Sequence, residues 1–320
     1  MSIQITGAGI YLPDKIEKSK STAQLINKSE DWIISKTGVK ERRISEIDVD
    51  QMGAIAAAEA LNNKDEPDLI INASGVPKQT IPDTSVFFQR ELGIKNVPCF
   101  SIHGTCLSFL IALNNARALI NSNIYKKILI ISSDRGSIGR NPNEPESAAL
   151  LGDGAAAVLV EKEDTGTNSF HYWKMNTWSS DAELTEVRGG GTFKHPLDKN
   201  TELNDNLFTM DGPAIYKSAR KKAYKMVLDT FKKTNFNKED VSWVIPHQAS
   251  LKAINAYHEY GKFEKDRIIN IVSKTGNCVA ASMPMALVTA IKDGRVKRGD
   301  LLFFIGTGAG LSMACALVTY

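Results

Sequence analysis

The chain has 320 residues, 42% apolar and 23% charged, with a formal net charge of +3. That is enough chain to bury a sizeable core, as one large domain or as two of about 150 residues. The charge is too small to point to nucleic acid, and no run reaches the roughly 20 apolar residues of a membrane span. The cysteines Cys99, Cys106, Cys278 and Cys315 show no CxxC spacing, which fits free thiols in a reducing cytoplasm better than disulfides or zinc.

The first five residues, Met1 to Ile5, predict a strand rather than a signal peptide, since they lack a basic start and a long apolar segment. Buried strands follow at Leu69-Ile70-Ile71, Ile128 to Ile131, Ala155 to Val160, Trp243-Val244-Ile245, Leu301 to Ile305 and Met313 to Val318. These runs are apolar throughout rather than alternating, the pattern of sheets covered on both faces. Helical periodicity lies between them, near 52–61, 84–92, 106–121, 213–234, 250–260 and 282–292. Strands alternating with helices predict an α/β protein. The stretch 176–212 is polar and Gly-rich, and it is expected to be a surface excursion rather than a phosphate loop.

A weak internal repeat runs through this order. Leu69-Ile70-Ile71 and Trp243-Val244-Ile245 are 174 residues apart, as are Ile131 and Ile305, while Gly104-Thr105-Cys106 and Gly276-Asn277-Cys278 are 172 apart. The repeat implies a duplicated α/β unit. Its halves are expected to be 1–165 and 166–320, divided at the polar stretch Glu161-Lys162-Glu163-Asp164-Thr165-Gly166.

Three stretches carry candidate chemistry: Gly104-Thr105-Cys106, Pro246-His247-Gln248 and Gly276-Asn277-Cys278. Cys106 precedes an apolar helical pattern, and a thiolate at a helix N-terminus is stabilised by unpaired N–H groups and the helix dipole. A Cys with a distant His and Asn supplies a nucleophile, a proton-handling group and a hydrogen-bond donor. Taken alone, a cysteine in that position is more often a small buried hydrophobe.

Jointly the motifs change that balance. Gly7-Ala8-Gly9-Ile10-Tyr11-Leu12-Pro13, Asp31-Trp32-Ile33, Thr37-Gly38-Val39-Lys40-Glu41-Arg42-Arg43, Gly152-Asp153-Gly154-Ala155-Ala156-Ala157, Val244-Ile245-Pro246-His247-Gln248-Ala249 and Gly276-Asn277 with Ala280-Ala281-Ser282-Met283-Pro284 fall in one order along nearly the whole chain. In these the chain resembles the β-ketoacyl-acyl-carrier-protein synthase III family of thiolase-fold condensing enzymes. The resemblance implies a duplicated five-layer αβαβα fold and a cytoplasmic homodimer. It implies Cys106 as the acylated nucleophile, with His247 and Asn277 donating to the thioester oxygen of a second substrate as it becomes an enolate. The oxyanion hole would be the N–H groups of Cys106 and Ala309. Trp32 and Lys36 match positions that hold coenzyme A, Ile81 and Thr307 match substrate-lining positions, and Lys217 and Lys252 match positions that receive the acyl carrier protein. The substrates would be coenzyme A or phosphopantetheine thioesters. No metal or redox cofactor is called for, because thiol and enolate chemistry needs none. Cys278 has no thiol role in the family and is expected to be a core residue.

Three departures point to a specialised relative in fatty-acid or polyketide-like secondary metabolism. Leu107-Ser108 follows Cys106 where the family has small Ala-Gly, and His103 stands before it, where a structural role is expected. Thr307 replaces a Phe linked to decarboxylation. Pro145 stands where an Arg faces the coenzyme A adenine. Two other readings stay open: an acyltransferase that passes the Cys106 acyl group to a hydroxyl or amine, and a non-catalytic partner subunit.

Overall fold

The continuous apolar runs become strands because both of their faces are covered. The computed structural model describes residues 3–163 and 169–320. In chain order the elements are β1 (Ile3–Tyr11), β2 (Ile16–Lys18), α1 (Ser19–Leu25), α2 (Glu30–Thr37), β3 (Glu41–Arg43), α3 (Val49–Leu61), β4 (Leu69–Asn72), α4 (Thr84–Glu91), β5 (Cys99–Ser101), α5 (Ser108–Asn121), β6 (Lys127–Arg135), α6 (Pro145–Leu150) and β7 (Asp153–Lys162). After these come β8 (Phe170–Thr177), β9 (Thr185–Glu186), β10 (Thr209–Met210), α7 (Gly212–Lys233), β11 (Trp243–Pro246), α8 (Leu251–Glu259), α9 (Val272–Thr275), α10 (Ser282–Lys292), β12 (Leu301–Gly308) and β13 (Ser312–Thr319).

Two mixed sheets form, ordered β1-β7-β6-β4-β5 and β11-β12-β13-β8. Helices α5 and α10 lie between them. Their buried residues, among them Leu110, Leu113, Met283 and Leu287, share one core with Ile71 and Ile130 of the first sheet and Ile245 and Phe304 of the second. The outer face of the first sheet packs on α3 and α4, and that of the second on α7 and α8. This is the five-layer αβαβα order expected. The proposed division at 165/166 lies outside the described residues.

The duplication is visible in register. Parallel pairing puts Leu69 of β4 against Ile128 of β6, and Trp243 of β11 against Leu302 of β12, so both partners move by the same 174 residues. The turns before α5 and α10 also match. The Gly104 N–H donates to Ser108 Oγ at 3.0 Å, and the Cys278 N–H donates to Ser282 Oγ at 2.8 Å. The next residue in each is left-handed, Thr105 at φ 53° and Val279 at φ 49°. The spacing of 172 read from the Gly-x-Cys motifs is therefore corrected: Cys106 corresponds to Ala280, and Cys278 corresponds to Gly104. Cys278 is fully buried in the central core.

Three features went unanticipated. Strand β8 borders the second sheet as β1 borders the first. Helices α1 and α2, with Ser29 capping α2 through the Trp32 N–H at 3.0 Å, are short and weakly apolar. A buried cation ties α1 to α6. Arg42 Nη1 donates to Thr22 Oγ1 at 2.5 Å and to the Ala148 carbonyl at 3.5 Å, and it pairs with Glu17 at 3.4 Å. Arg140 donates to the same Glu17 carboxylate at 2.6 and 3.2 Å. The third is the 176–212 stretch. Leu197 and Leu203 are exposed there, yet Phe208 and Met210 turn inward to line the principal cavity. A surface excursion describes only its middle.

The halves meet along a short backbone seam beside that cavity. Asn277 N–H donates to the Leu150 carbonyl at 2.9 Å, and Gly152 N–H donates to the Asn277 carbonyl at 3.0 Å. A Cβ at position 152 would lie 2.2 Å from the Thr275 carbonyl oxygen, so only glycine lets the strands approach. Gly152→Ala is expected to lower stability by roughly 1–3 kcal/mol. Urea unfolding with an unchanged m-value would show it, and a midpoint equal to wild type would refute the close-approach account.

Candidate active site

One cavity of about 180 Å³ collects five of the sequence candidates: Cys106, His247, Asn277, Thr307 and Ala309 all line it. Each arrives from a different element. Cys106 lies in the single 3₁₀ turn Thr105–Leu107 that leads into α5. His247 follows the last residue of β11, its N–H held by the Ile305 carbonyl at 3.0 Å. Asn277 lies in the seam before α10. Thr307 and Ala309 come from the end of β12 and the turn after it.

The turn that carries Cys106 is strained and tightly backed. A β-branched residue in the left-handed region is rare and costs of order 1–3 kcal/mol, which the surroundings must sustain. Thr105 is such a residue, at φ 53°. Its support is the glycine-rich end of β12, where a Cβ at Gly308 would stand 2.5 Å from Thr105 Oγ1 and 3.1 Å from the Gly104 carbonyl. The Ser108 hydroxyl closes the turn by donating to the Thr105 carbonyl at 2.7 Å.

Burial governs the titrating groups. Solvent reaches part of residue 106 through the cavity, but the packing around its sulfur and the nearby Asp134 push the thiol up to about 12. The expectation that a helix end would leave Cys106 partly ionised is corrected: desolvation outweighs the helix dipole. His247, 5% exposed, is moved the other way, down to about 4, by the same loss of water. Its Nδ1 is buried with no hydrogen-bond partner. Near neutral pH the site therefore holds a neutral thiol and a neutral imidazole, not a thiolate–imidazolium pair.

Asn277 is oriented by its own turn. Its Oδ1 accepts from the Val279 N–H at 2.9 Å and from Ser282 Oγ at 3.3 Å. That leaves the amide NH₂ as the end available to the cavity. Asp134, near the end of β6, is a buried neighbour of Cys106 that sequence reasoning missed. Its carboxylate is wholly buried and accepts from the N–H groups of Gly75, Val76 and Ala281 at 2.8, 2.9 and 3.0 Å. Burial raises it to about 7 despite those bonds.

The remaining candidates lie outside the cavity wall. Trp32 is half-buried on α2, against Ala148 and Ala149 of α6, with Lys28 Nζ 5.6 Å from its ring centre. Lys36 is exposed on the same helix. Ile81 is 81% exposed and precedes a cis proline, so it lines nothing within its own chain. His103 is exposed, and the packed structural role expected for it does not appear. Lys217 and Lys252 are exposed at the rim, Lys252 with its Nζ 4.4 Å from the Tyr216 ring centre. Most of the cavity wall was not foreseen. Tyr216, Ala219 and Ala223 of α7 and Ala253, Ala256 and Tyr257 of α8 form it. The alanines recur one turn apart, the only sequence trace of a shared face.

Comparison with known proteins decides the family. A family model described as 3-oxoacyl-[acyl-carrier-protein (ACP)] synthase III matches residues 100–177, and one for its C terminal matches residues 231–320. The β-ketoacyl-[acyl-carrier-protein] synthase III of Aquifex aeolicus is 33% identical over 325 residues, covering 100% of both chains. This chain belongs to the β-ketoacyl-[acyl-carrier-protein] synthase III family. A synthase III of Vibrio parahaemolyticus is 32% identical over 327 residues, again covering 100% of both chains. The crystal structure of the Aquifex synthase III superposes with a TM-score of 0.89, covering 99% of this chain and 100% of that one.

The neutral thiol gives a measurable signature for this synthase III. Alkylation of Cys106 by iodoacetamide is expected to be slow at pH 7 and to rise about tenfold per pH unit, with no plateau between pH 5 and 9. A plateau in that window would mean an ion pair and would overturn the burial argument.

Proposed function

We propose that this chain condenses acyl thioesters through an acyl-Cys106 intermediate. The observation that carries the reading is the one cavity that brings Cys106, His247 and Asn277 together from three distant parts of the chain. Cys106 Sγ attacks the thioester carbonyl carbon, and its proton passes to the neutral imidazole of His247 and on to the departing thiolate. A new S–C bond forms on Cys106 as the substrate's C–S bond breaks. The N–H groups of Cys106 and Ala309 are assigned to the oxyanion formed during attack. A second thioester then forms an enolate by breaking the bond from its α-carbon either to a carboxylate, which leaves as carbon dioxide, or to a hydrogen, whose proton His247 takes; the enolate oxygen takes a hydrogen bond from the Asn277 NH₂. Its carbon attacks the acyl group, a C–C bond forms, the bond from the acyl carbon to Cys106 Sγ breaks, and the released thiolate takes a proton from His247 or from water.

Membership of the synthase III family supports acyl-CoA and acyl carrier protein as donors and a ketoacyl synthase reaction, which this reading counts among the acyltransferases. In this reading Trp32 and Lys36 hold the coenzyme A head, and Lys217 and Lys252 receive the carrier protein at the rim. Thr307 touches the acyl group, and Ile81 reaches the site of a second copy in a homodimer. Ile81 is large, apolar and exposed in one chain, which suits burial between two. No metal or redox cofactor takes part. Among the described residues no helix is long and apolar enough to cross a membrane, which accords with a cytoplasmic enzyme.

Variants separate the half-reactions. Cys106→Ala should abolish the acyl mass gain on incubation with acyl-CoA while the protein stays folded. Asn277→Ala should load Cys106 at near wild-type rate and then stall, with condensation down roughly 10²–10³-fold for the lost enolate donor. Because the thiol is protonated, His247→Ala should slow loading as well. Intact mass reports the acyl-enzyme, and product mass reports whether a new C–C bond or an ester or amide has formed. Normal condensation by Asn277→Ala, or loading on a residue other than Cys106, would remove the proposal.

A further inference from the structure

We propose that Asp134 is a positioning residue for the condensation step: by accepting the Ala281 N–H it fixes the turn that aims the Asn277 amide into the cavity. The proposal rests on the acyl-thioester chemistry above, in which Asn277 donates to an enolate. No step of that chemistry uses Asp134, although its carboxylate is wholly buried. Taking a carboxylate out of water is costly unless its bonds offset the loss.

The carboxylate spans two segments far apart in sequence. Its Oδ1 accepts from the Gly75 and Val76 N–H groups at 2.8 and 2.9 Å, in the loop after β4. Its Oδ2 accepts from the Ala281 N–H at 3.0 Å, at the N-cap of α10. One oxygen anchors the carboxylate to the first sheet, and the other holds the turn.

That turn needs holding. Between Asn277 and Ala281 the chain passes through Val279, a β-branched residue in the left-handed region at φ 49°. Such a conformation persists only where its surroundings enforce it. A Cβ at Gly75 would lie 2.4 Å from Val279 Cγ1, and one at Gly136 would lie 3.4 Å from Cγ2. The valine is therefore seated over two bare positions, one bonded to Asp134 and the other two residues beyond it. The Val279 N–H in turn fixes Asn277 by donating to Oδ1 at 2.9 Å. Ser282 Oγ, which accepts from the Cys278 N–H at 2.8 Å, donates to the same oxygen at 3.3 Å. A carboxamide keeps nearly the same shape when turned over. Without these donors the amide oxygen would be free to face the enolate oxygen and repel it.

Asp134 works against the other half-reaction. Burial is the larger cause of the raised Cys106 thiol, and the Asp134 charge adds to it. A group that makes the nucleophile harder to ionise while aiming the enolate donor leaves opposite marks when it is removed.

Asp134→Asn keeps the size, removes the charge and has one accepting oxygen in place of two. Three rates are compared with wild type: acyl-Cys106 formation by intact mass, condensation from preloaded enzyme, and Cys106 alkylation by iodoacetamide at pH 8.5, where Asp134, raised by burial to about 7, is ionised. Loading is expected at the wild-type rate or above. Alkylation is expected to rise roughly threefold or more, as for a thiol whose pKa falls by about 0.5. Condensation is expected to fall roughly tenfold or more, toward the 10²–10³-fold that one lost donor is worth. Asp134→Ser takes its place should the Asn variant not fold, and it adds no amide to the spectrum of [¹⁵N]asparagine-labelled protein. There the Asn277 NH₂ pair, identified by its loss in Asn277→Ala, is expected to be single and sharp in wild type and broadened or doubled in Asp134→Ser. An unchanged amide pair, unchanged condensation, or equal losses in all three rates would overturn the positioning role and leave the proposed function standing. Wild-type protein that forms no acyl-enzyme or no condensation product would remove the proposed function, and the amide pair would still decide the positioning.

Discussion

The site depends on the backbone seam between Asn277 and the Leu150–Gly152 link from α6 to β7. Asn277 uses its main-chain N–H and carbonyl on the other half of the molecule. Its side-chain oxygen is bound within its own turn. Nothing in the residue is left free to move except the end that faces the cavity. The two sheets and the helices between them bring His247 and Cys106 to the same place, but it is the seam that makes the halves one reaction vessel.

Burial sets the electrical character of that vessel. The same exclusion of water raises the Cys106 thiol and lowers the His247 imidazole. Asp134 adds to the first effect through its own negative charge. A resting ion pair would be more reactive toward any electrophile that entered. In the proposed reaction the thiol loses its proton only as it attacks, and the same packing that protects the thiol then calls on the imidazole as its base.

Much of this was legible in the sequence because the informative signals are local. Cys106, His247 and Asn277 each sit in a short motif at the end of an apolar run, and such runs become strand ends or helix starts wherever they are placed. A duplicated α/β unit followed from apolar runs that recur with the same spacing, and the five-layer order from the resemblance to the synthase III family. What was hidden depends on contacts between distant segments. Helices α1 and α2 have little apolar periodicity; buried Arg42 ties α1 to Ala148 of α6, and α2 packs on both. The alanines of α7 and α8 look like ordinary helix formers until the two helices are set side by side. The thiol's proton affinity was misjudged because a helix start is visible in sequence and the depth of its burial is not.

The constant spacing of the duplication also exposes an asymmetry. Residues 280 and 281 in the turn before α10 correspond to Cys106 and Leu107, and Asp134 corresponds to Gly308. In one half the carboxylate of Asp134 reaches across the middle of the molecule and takes the Ala281 N–H. In the other half the matching position has no side chain at all, and its glycine lies against the turn that carries Cys106. The two halves thus answer one position of the repeat in opposite ways: the first fills it with a buried carboxyl tied to backbone N–H groups, and the second leaves it bare where the cavity begins.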